Sequence, residues 1–262
     1  MKKIMTYQDL DVEVLKAEIA RLEQASQNQL DFVSTVSHEL RTPVANMKMA
    51  VKMLELSLSQ IDASLPITAR PYYACAMRYL NILSNECGRE TDLINDLLDL
   101  QRLEAGAEPL MKEPIDLQVW LPELVAPFQE RAQSNEQILL INCTLELPAL
   151  SSNPAALRRI LAELLNNACK YTPPGEQIVL AVRVVSGMMY FSVSNSGVEI
   201  PKNELPRIFE KFYRVPGKGI QKQNGSGLGL ALVEKLTQCL GGVINVTSDC
   251  DQTCFTVELP FG

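Results

Sequence analysis

Residues 8 to about 106 carry an apolar stripe on an otherwise polar helical pattern, and that one-sidedness limits what the chain can fold into. Val12, Leu15, Ile19 and Leu22 fall at alternating three- and four-residue steps, the spacing of a heptad seam. The seam runs through polar Ser26 and Gln29 and resumes at Val33, Val36 and Leu40. Leu65-Pro66 and Arg70-Pro71 break it, since proline removes a helical N–H and clashes with the preceding turn. A second helical pattern then runs from about Tyr72 to Leu103, with Leu80, Ile82, Leu83, Leu93, Ile94, Leu97, Leu98 and Leu100 among its apolar positions. Two helices joined in this way bury only one stripe. A second copy would complete a four-helix bundle, so the pattern predicts a homodimer in which Phe32, Val33, Val36, Leu40 and Val44 pack the core.

The sequence then changes character. Glu104-Ala-Gly106 ends the helix, and from about Glu113 short segments of two periodicities alternate. Residues 138–147, 178–185, 188–194, 243–247 and 255–259 read as strands, and residues near 117–134, 153–170 and 227–240 as helices. Such a mixture predicts an α+β sandwich behind an all-α hairpin, a multi-domain chain. The boundaries are expected at 1–28 for an N-terminal coiled-coil helix, 29–108 for the hairpin and 109–262 for the sandwich.

Composition excludes several classes. A net charge of −7 over 262 residues opposes nucleic-acid binding, which calls for a basic face. No run reaches the about 18 apolar residues of a membrane span, and the polar Thr-Tyr-Gln-Asp after Met1-Lys-Lys-Ile-Met does not read as a secretory signal. Seven cysteines lack any CxxC pair, a pattern of reduced, mostly buried thiols in a cytoplasmic protein. Cys75, Cys87 and Cys169 fall in helix patterns where burial is expected, and Cys250 with Cys254 has no histidine nearby to make a zinc site.

The chemistry concentrates in three places. His38 is the only histidine, and imidazole changes charge and attacks as a neutral nucleophile near neutral pH. Glu39 puts a carboxylate beside it, and Thr42 follows one helical turn on, just ahead of Pro43. Glu163, Asn167 and Lys170 share one face of a helix; a carboxamide oxygen suits magnesium and a lysine suits phosphate, although a polar helix end would look the same. Asn224-Gly-Ser-Gly227-Leu-Gly229 sets three glycines before an amphipathic helix, where backbone can approach a phosphate closely. Flexible loops use glycine as well.

Taken in order, these segments resemble a known family. Ser37-His-Glu-Leu-Arg-Thr-Pro43 looks like the H-box of sensor histidine kinases, and Leu164-Leu-Asn-Asn167-Ala-Cys-Lys170-Tyr171 like their N-box. Leu205-Pro-Arg-Ile-Phe209-Glu-Lys-Phe212-Tyr-Arg214 resembles the F-box, with a mobile lid at roughly Arg214 to Gly225, and Gly225, Gly227 and Gly229 match the second glycine box. The resemblance implies a Bergerat-type ATP domain holding ATP through Asn167, Lys170, Tyr171, Asn195, Gly197, Gly225, Gly227, Leu228 and Gly229, with Mg2+ at Asn167 and Glu163. It implies phosphorylation of His38 with Glu39 as proton acceptor and transfer to an aspartate of a response-regulator receiver domain. It also implies a phosphatase role for Thr42, for which satisfying backbone groups near Pro43 is the competing explanation. An upstream sensor domain or sensory partner would supply the signal.

The first glycine box departs from the family pattern. Asn195 stands where an aspartate accepts a hydrogen bond from the adenine amino group, and Glu199 stands where a glycine is usual. A neutral acceptor gives a weaker bond than a charged one, and a side chain at 199 costs about 1–2 kcal/mol if the backbone there is left-handed. Glu163 replaces a common asparagine and matches the water-activating glutamate of related ATPases; it reads equally as an outer carboxylate. The last box, Ser248-Asp-Cys-Asp-Gln-Thr-Cys-Phe255, lacks glycines, which predicts only a changed loop. Alternatives are a degenerate kinase working as phosphatase or scaffold, and an ATPase of the same superfamily.

Overall fold

The computed structural model describes residues 40–58, 70–106, 110–144, 147–216, 226–249 and 252–261. The chain divides between Ala105 and Gly106 into two compact units.

The first unit is a helical hairpin. Helix α1 covers residues 40–58, and α2 spans Arg70–Glu104. Pro71 lies in the first turn of α2, where no intrahelical partner awaits its missing N–H, so the helix begins two residues before the expected Tyr72. Val44 on α1 packs with Cys87, Ile94 and Leu98 on α2, and the Arg41 guanidinium donates to Asn95 Oδ1 at 2.9 Å. Val44 therefore packs within a single hairpin. Leu40, Met47, Leu54, Tyr79, Ile82 and Leu83 stay exposed, which leaves apolar surface on both helices. Cys75 is exposed rather than buried, because it lies on the side of α2 away from Leu80 and Cys87. The seam from Val12 to Val36 lies outside the described residues.

The second unit is a sheet backed by helices. Strands β2 (Ile138–Cys143), β4 (Gln177–Val185), β5 (Met188–Ser196), β6 (Val243–Ser248) and β7 (Gln252–Pro260) form a sheet in the order β2-β4-β5-β7-β6. β2 runs parallel to β4, and the other pairings are antiparallel. Two short strands, β1 (Glu113–Ile115) and β3 (Leu150–Ser152), pair separately. At three residues each they are too short for periodicity to reveal, and the sequence reading missed them. Met189, Phe191, Val193 and Asn195 alternate with less buried residues along β5, so one face of the sheet is the core face. The two-residue turn Ser186-Gly187, with φ of 50° and 81°, joins β4 to β5 as right-handed strand twist requires.

Helices α3 (Leu117–Ser134), α4 (Pro154–Tyr171) and α5 (Gly229–Cys239) complete the sandwich, and α4 packs against α3, α5 and β5. Ala156, Leu157, Ile160, Leu161, Leu164, Leu165, Ala168 and Cys169 form its buried face. Asn153 caps α4, accepting from Ala156 N–H at 2.8 Å, and also donates to the Met111 carbonyl at 2.9 Å. Trp120, the only tryptophan, lies on α3 with the Arg158 guanidinium of α4 at 5.1 Å from its ring centroid. Its fluorescence reports the α3–α4 packing. Asn153→Ala should lower the stability of this unit by about 1 kcal/mol, read as a shift of the urea midpoint followed through Trp120.

Candidate functional site

The polar side of α4 builds one wall. Arg159, Glu163, Asn167 and Lys170 succeed one another at helical spacing, so the same turns that bury the leucines keep these residues half-buried. An Arg159 guanidinium nitrogen lies 3.1 Å from Glu163 Oε1. Asn166 is tied to α3, its oxygen accepting from Arg131 at 2.8 Å. The Asn167 carboxamide, by contrast, makes no hydrogen bond among the described residues. Lys170 Nζ donates to the Tyr171 hydroxyl at 3.1 Å and lies 4.7 Å from the ring centroid, while Tyr171 stays exposed. Just before them, Cys169 is buried, and burial pushes its thiol pKa up against the opposing pull of Arg131.

The start of α5 meets that wall. A Cβ added to Gly229 would fall 2.7 Å from Glu163 Oε2, so the helix begins in contact with the Glu163 carboxylate. Leu228, at the N-cap position, has no side-chain cap to give α5, and its own N–H donates to the Ser226 hydroxyl at 3.2 Å. Leu228 is fully buried, backbone and side chain alike, and anchors the start of α5 to the core.

Just upstream, the chain is clasped. Phe212 N–H donates to the Gly227 carbonyl at 2.9 Å. Gly227 has φ +74°, and a Cβ there would come within 2.7 Å of the Phe212 carbonyl carbon. Phe212 is itself left-handed at φ 63° and exposed, a conformation costing a non-glycine residue about 1–2 kcal/mol. The Tyr213 hydroxyl donates to Glu204, and the Arg207 guanidinium lies 4.0 Å from the Tyr213 ring centroid. The Phe212–Gly227 contact draws Tyr213 and Ser226 together, and the Glu204 and Arg207 contacts fix Tyr213.

A third wall lies at the end of β5. Asn195 is 6% exposed. Gly197 abuts Pro173 and Glu176, the loop that follows α4. Beyond it, Ile200 N–H donates to the Ser248 hydroxyl at 2.8 Å, Ser248 lies 2.8 Å from the Thr253 hydroxyl, and Thr253 donates to the Val198 carbonyl at 2.9 Å. This relay fixes the loop that carries Glu199. Glu199 is not among the left-handed residues, so the backbone strain considered for it is absent. In the sequence this stretch stands out only for its missing glycines. Ser248 and Thr253 are cross-strand partners, and that pairing was the overlooked signal.

The fold thus brings Glu163, Asn167, Lys170 and Tyr171 onto one helix, with Gly227, Leu228 and Gly229 at its edge and Asn195 and Gly197 at a strand end. Arg159 was missed, although its charge opposite Glu163 four residues on is visible in the sequence. Thr42 is exposed on α1 in the other unit, and His38, Glu39 and Gly225 lie outside the described residues. Among the described residues no three His, Cys, Asp or Glu side chains cluster as a metal site, and no helix is long and apolar enough to cross a membrane.

Comparison with known proteins decides the family. A model of the His Kinase A phospho-acceptor domain matches residues 28–106, and one of the histidine kinase-, DNA gyrase B- and HSP90-like ATPases matches residues 152–262. The chain carries the two domains of a sensor histidine kinase catalytic core. The circadian input-output histidine kinase CikA of Synechococcus elongatus is 31% identical over 92% of this kinase chain and 31% of its own length. The aerobic respiration control sensor protein ArcB of Escherichia coli is 33% identical over 87% of this chain and 28% of its own. The E. coli sensor histidine kinase CusS is 30% identical over 92% and 48%. The chain therefore spans about a third to a half of these relatives. Full-length ShkA in complex with AMPPNP superposes with a TM-score of 0.71 at 27% identity, over 88% of this chain and 46% of that one.

Two glycine substitutions separate the contacts within this kinase core. Gly227→Ala meets unyielding backbone at positive φ and should destabilise the unit by about 1–2 kcal/mol or more. Gly229→Ala meets only the end of a flexible carboxylate, so its cost should be smaller and should shrink further in the Glu163→Ala background. Urea unfolding followed through Trp120 measures both.

Proposed function

We propose that the chain is the catalytic core of an ATP-dependent protein histidine kinase that phosphorylates His38 and passes the phosphoryl group to an aspartate of a response-regulator receiver domain. In this reading residues 29–108 are the dimerisation and phosphotransfer domain, 109–262 the ATP-binding domain, and 1–28 a helix leading in from a sensor domain or sensory partner. The observation that carries it is the unpartnered Asn167 carboxamide on α4, the helix whose Glu163 touches the start of α5. Phosphate favours a helix start with free N–H groups, and ATP supplies the phosphates. Mg2+ fits the Asn167 oxygen, with the Glu163 carboxylate one turn away on the same face; when bound it neutralises phosphate charge. Lys170 adds a positive charge next along the stripe.

On the hairpin, one imidazole nitrogen of His38 attacks the γ-phosphorus, ADP leaves, and Glu39 takes or holds the proton of the other nitrogen. General-base help of this kind is worth about 10²–10⁴-fold. The receiver aspartate then displaces His38 from phosphorus. In this reading Thr42, exposed on α1, orients water for regulator dephosphorylation. The exposed Met47, Leu54, Ile82 and Leu83 supply apolar surface for a second copy, giving a cytoplasmic homodimer. A phosphatase-dominated kinase is the second reading. It is favoured by Asn195, whose neutral side chain gives up a charge-assisted bond.

Incubation with γ-labelled ATP and magnesium should give label that is lost in acid and kept in alkali. His38→Gln should give none, and label on that variant would overturn the assignment. Thr42→Ala should keep the label while slowing dephosphorylation of the regulator by tenfold or more, about the scale of one lost catalytic group.

A further inference from the structure

The last turn of α4 ends against two prolines, Pro173 and Pro174. Thr172 N–H still reaches the Ala168 carbonyl at 3.0 Å. The next carbonyl, that of Cys169, would take the N–H of residue 173, but proline has none. Side chains from outside the helix supply the donors. Gln137, in the turn between α3 and β2, gives its carboxamide nitrogen to the Cys169 carbonyl at 3.0 Å and to the Thr172 carbonyl. Asn135 Nδ2 donates to the same Cys169 carbonyl at 3.3 Å. Backbone bonds hold the turn itself. Gln137 N–H donates to the Ala132 carbonyl at 2.8 Å, and Gly175 N–H to the Glu136 carbonyl at 2.7 Å.

Gln137 is buried, and its Oε1 has no hydrogen-bond partner among the described residues. Stranding that oxygen costs stability, and an apolar side chain of the same length would fill the space without it. The two N–H groups are therefore what the position uses. Both are spent on carbonyls that flank Lys170 and Tyr171 in the chain. Resting on the reading of Lys170 and Tyr171 as nucleotide contacts, we infer that Gln137 is a positioning residue for the ATP site. It closes the end of α4 where Pro173 leaves no backbone donor. Buried behind the helix, it acts through Lys170, whose place on the last turn follows from where the Cys169 and Thr172 carbonyls are held.

A double-mutant cycle on MgATP binding to the full chain tests this, with Trp120 unfolding as the control for folding. Gln137→Met keeps the length of the side chain and removes both donors. It should raise the MgATP dissociation constant by about fivefold or more, but by less than about twofold when Lys170→Ala is also present. Lys170→Ala alone should cost at least as much as Gln137→Met, since it removes the group being positioned. Asn135→Ala, at an exposed residue, removes only the longer bond to the Cys169 carbonyl. It should weaken binding by about twofold, and not at all beside Lys170→Ala, which decides the matter if Gln137→Met does not fold. A merely structural clamp would lower affinity by the same factor with and without Lys170. That result overturns the inference, as does unchanged affinity in the folded variants. Unchanged affinity there removes this inference alone, whereas a folded wild type that binds no MgATP removes the ATP-site reading with it.

Discussion

Helix α4 has to satisfy two demands at once, and the second unit is arranged around that fact. One side is packed into the core, with Leu157, Ile160, Leu161 and Leu165 fully buried. The other carries Arg159, Glu163, Asn167 and Lys170, none of which can enter that core without a partner. Leucine and isoleucine at three- and four-residue steps fix the rotation of the helix. Once that rotation is fixed, the polar stripe has only one direction to face. The start of α5 then meets it, and Gly229 leaves the Glu163 carboxylate room there without displacing it. The geometry of the site is thus a consequence of core packing more than of contacts within the site.

The same logic governs what can move. Phe212 and Gly227 hold each other backbone to backbone, and Phe212 adopts a conformation that only a tight surrounding sustains. Leu228, buried directly after the clasp, ties it to the core. The strand end carrying Asn195 and Gly197 is held from the other side by the Ser248–Thr253 relay. Nucleotide chemistry needs such a frame, because phosphoryl transfer depends on positioning and charge neutralisation more than on covalent participation by the protein.

Much of this was legible in the sequence. The helices of the second unit followed from apolar spacing: α3 falls at 117–134 as expected, and α4 lies within one residue of the expected span. The five sheet strands were each placed, although β2 stops at Cys143 and does not reach 147. What was missed depends on partners far away in sequence. β1 and β3 exist only because they pair with each other, and the Ser248–Thr253 relay only because β6 and β7 align. Arg159 reads in the sequence as an ordinary i,i+4 partner of Glu163, and only the fold puts that pair on the site wall. Glu199 was expected to matter through strain, but its backbone is unstrained because its loop is held by neighbouring atoms. The exposure of Cys75 shows the same limit: a helical period locates a stripe, and tertiary contacts decide which stripe is covered.

The central claim is that the polar stripe of α4 is a nucleotide-binding surface whose leading ligand is Asn167. The most direct measurement is the affinity of the full chain for MgATP by titration calorimetry, wild type beside Asn167→Ala, with Trp120 unfolding as the control for folding. The account predicts binding weakened by about tenfold or more with the unfolding midpoint unchanged, since the carboxamide has no structural partner to lose. Equal affinity in a variant that unfolds like the wild type would contradict it.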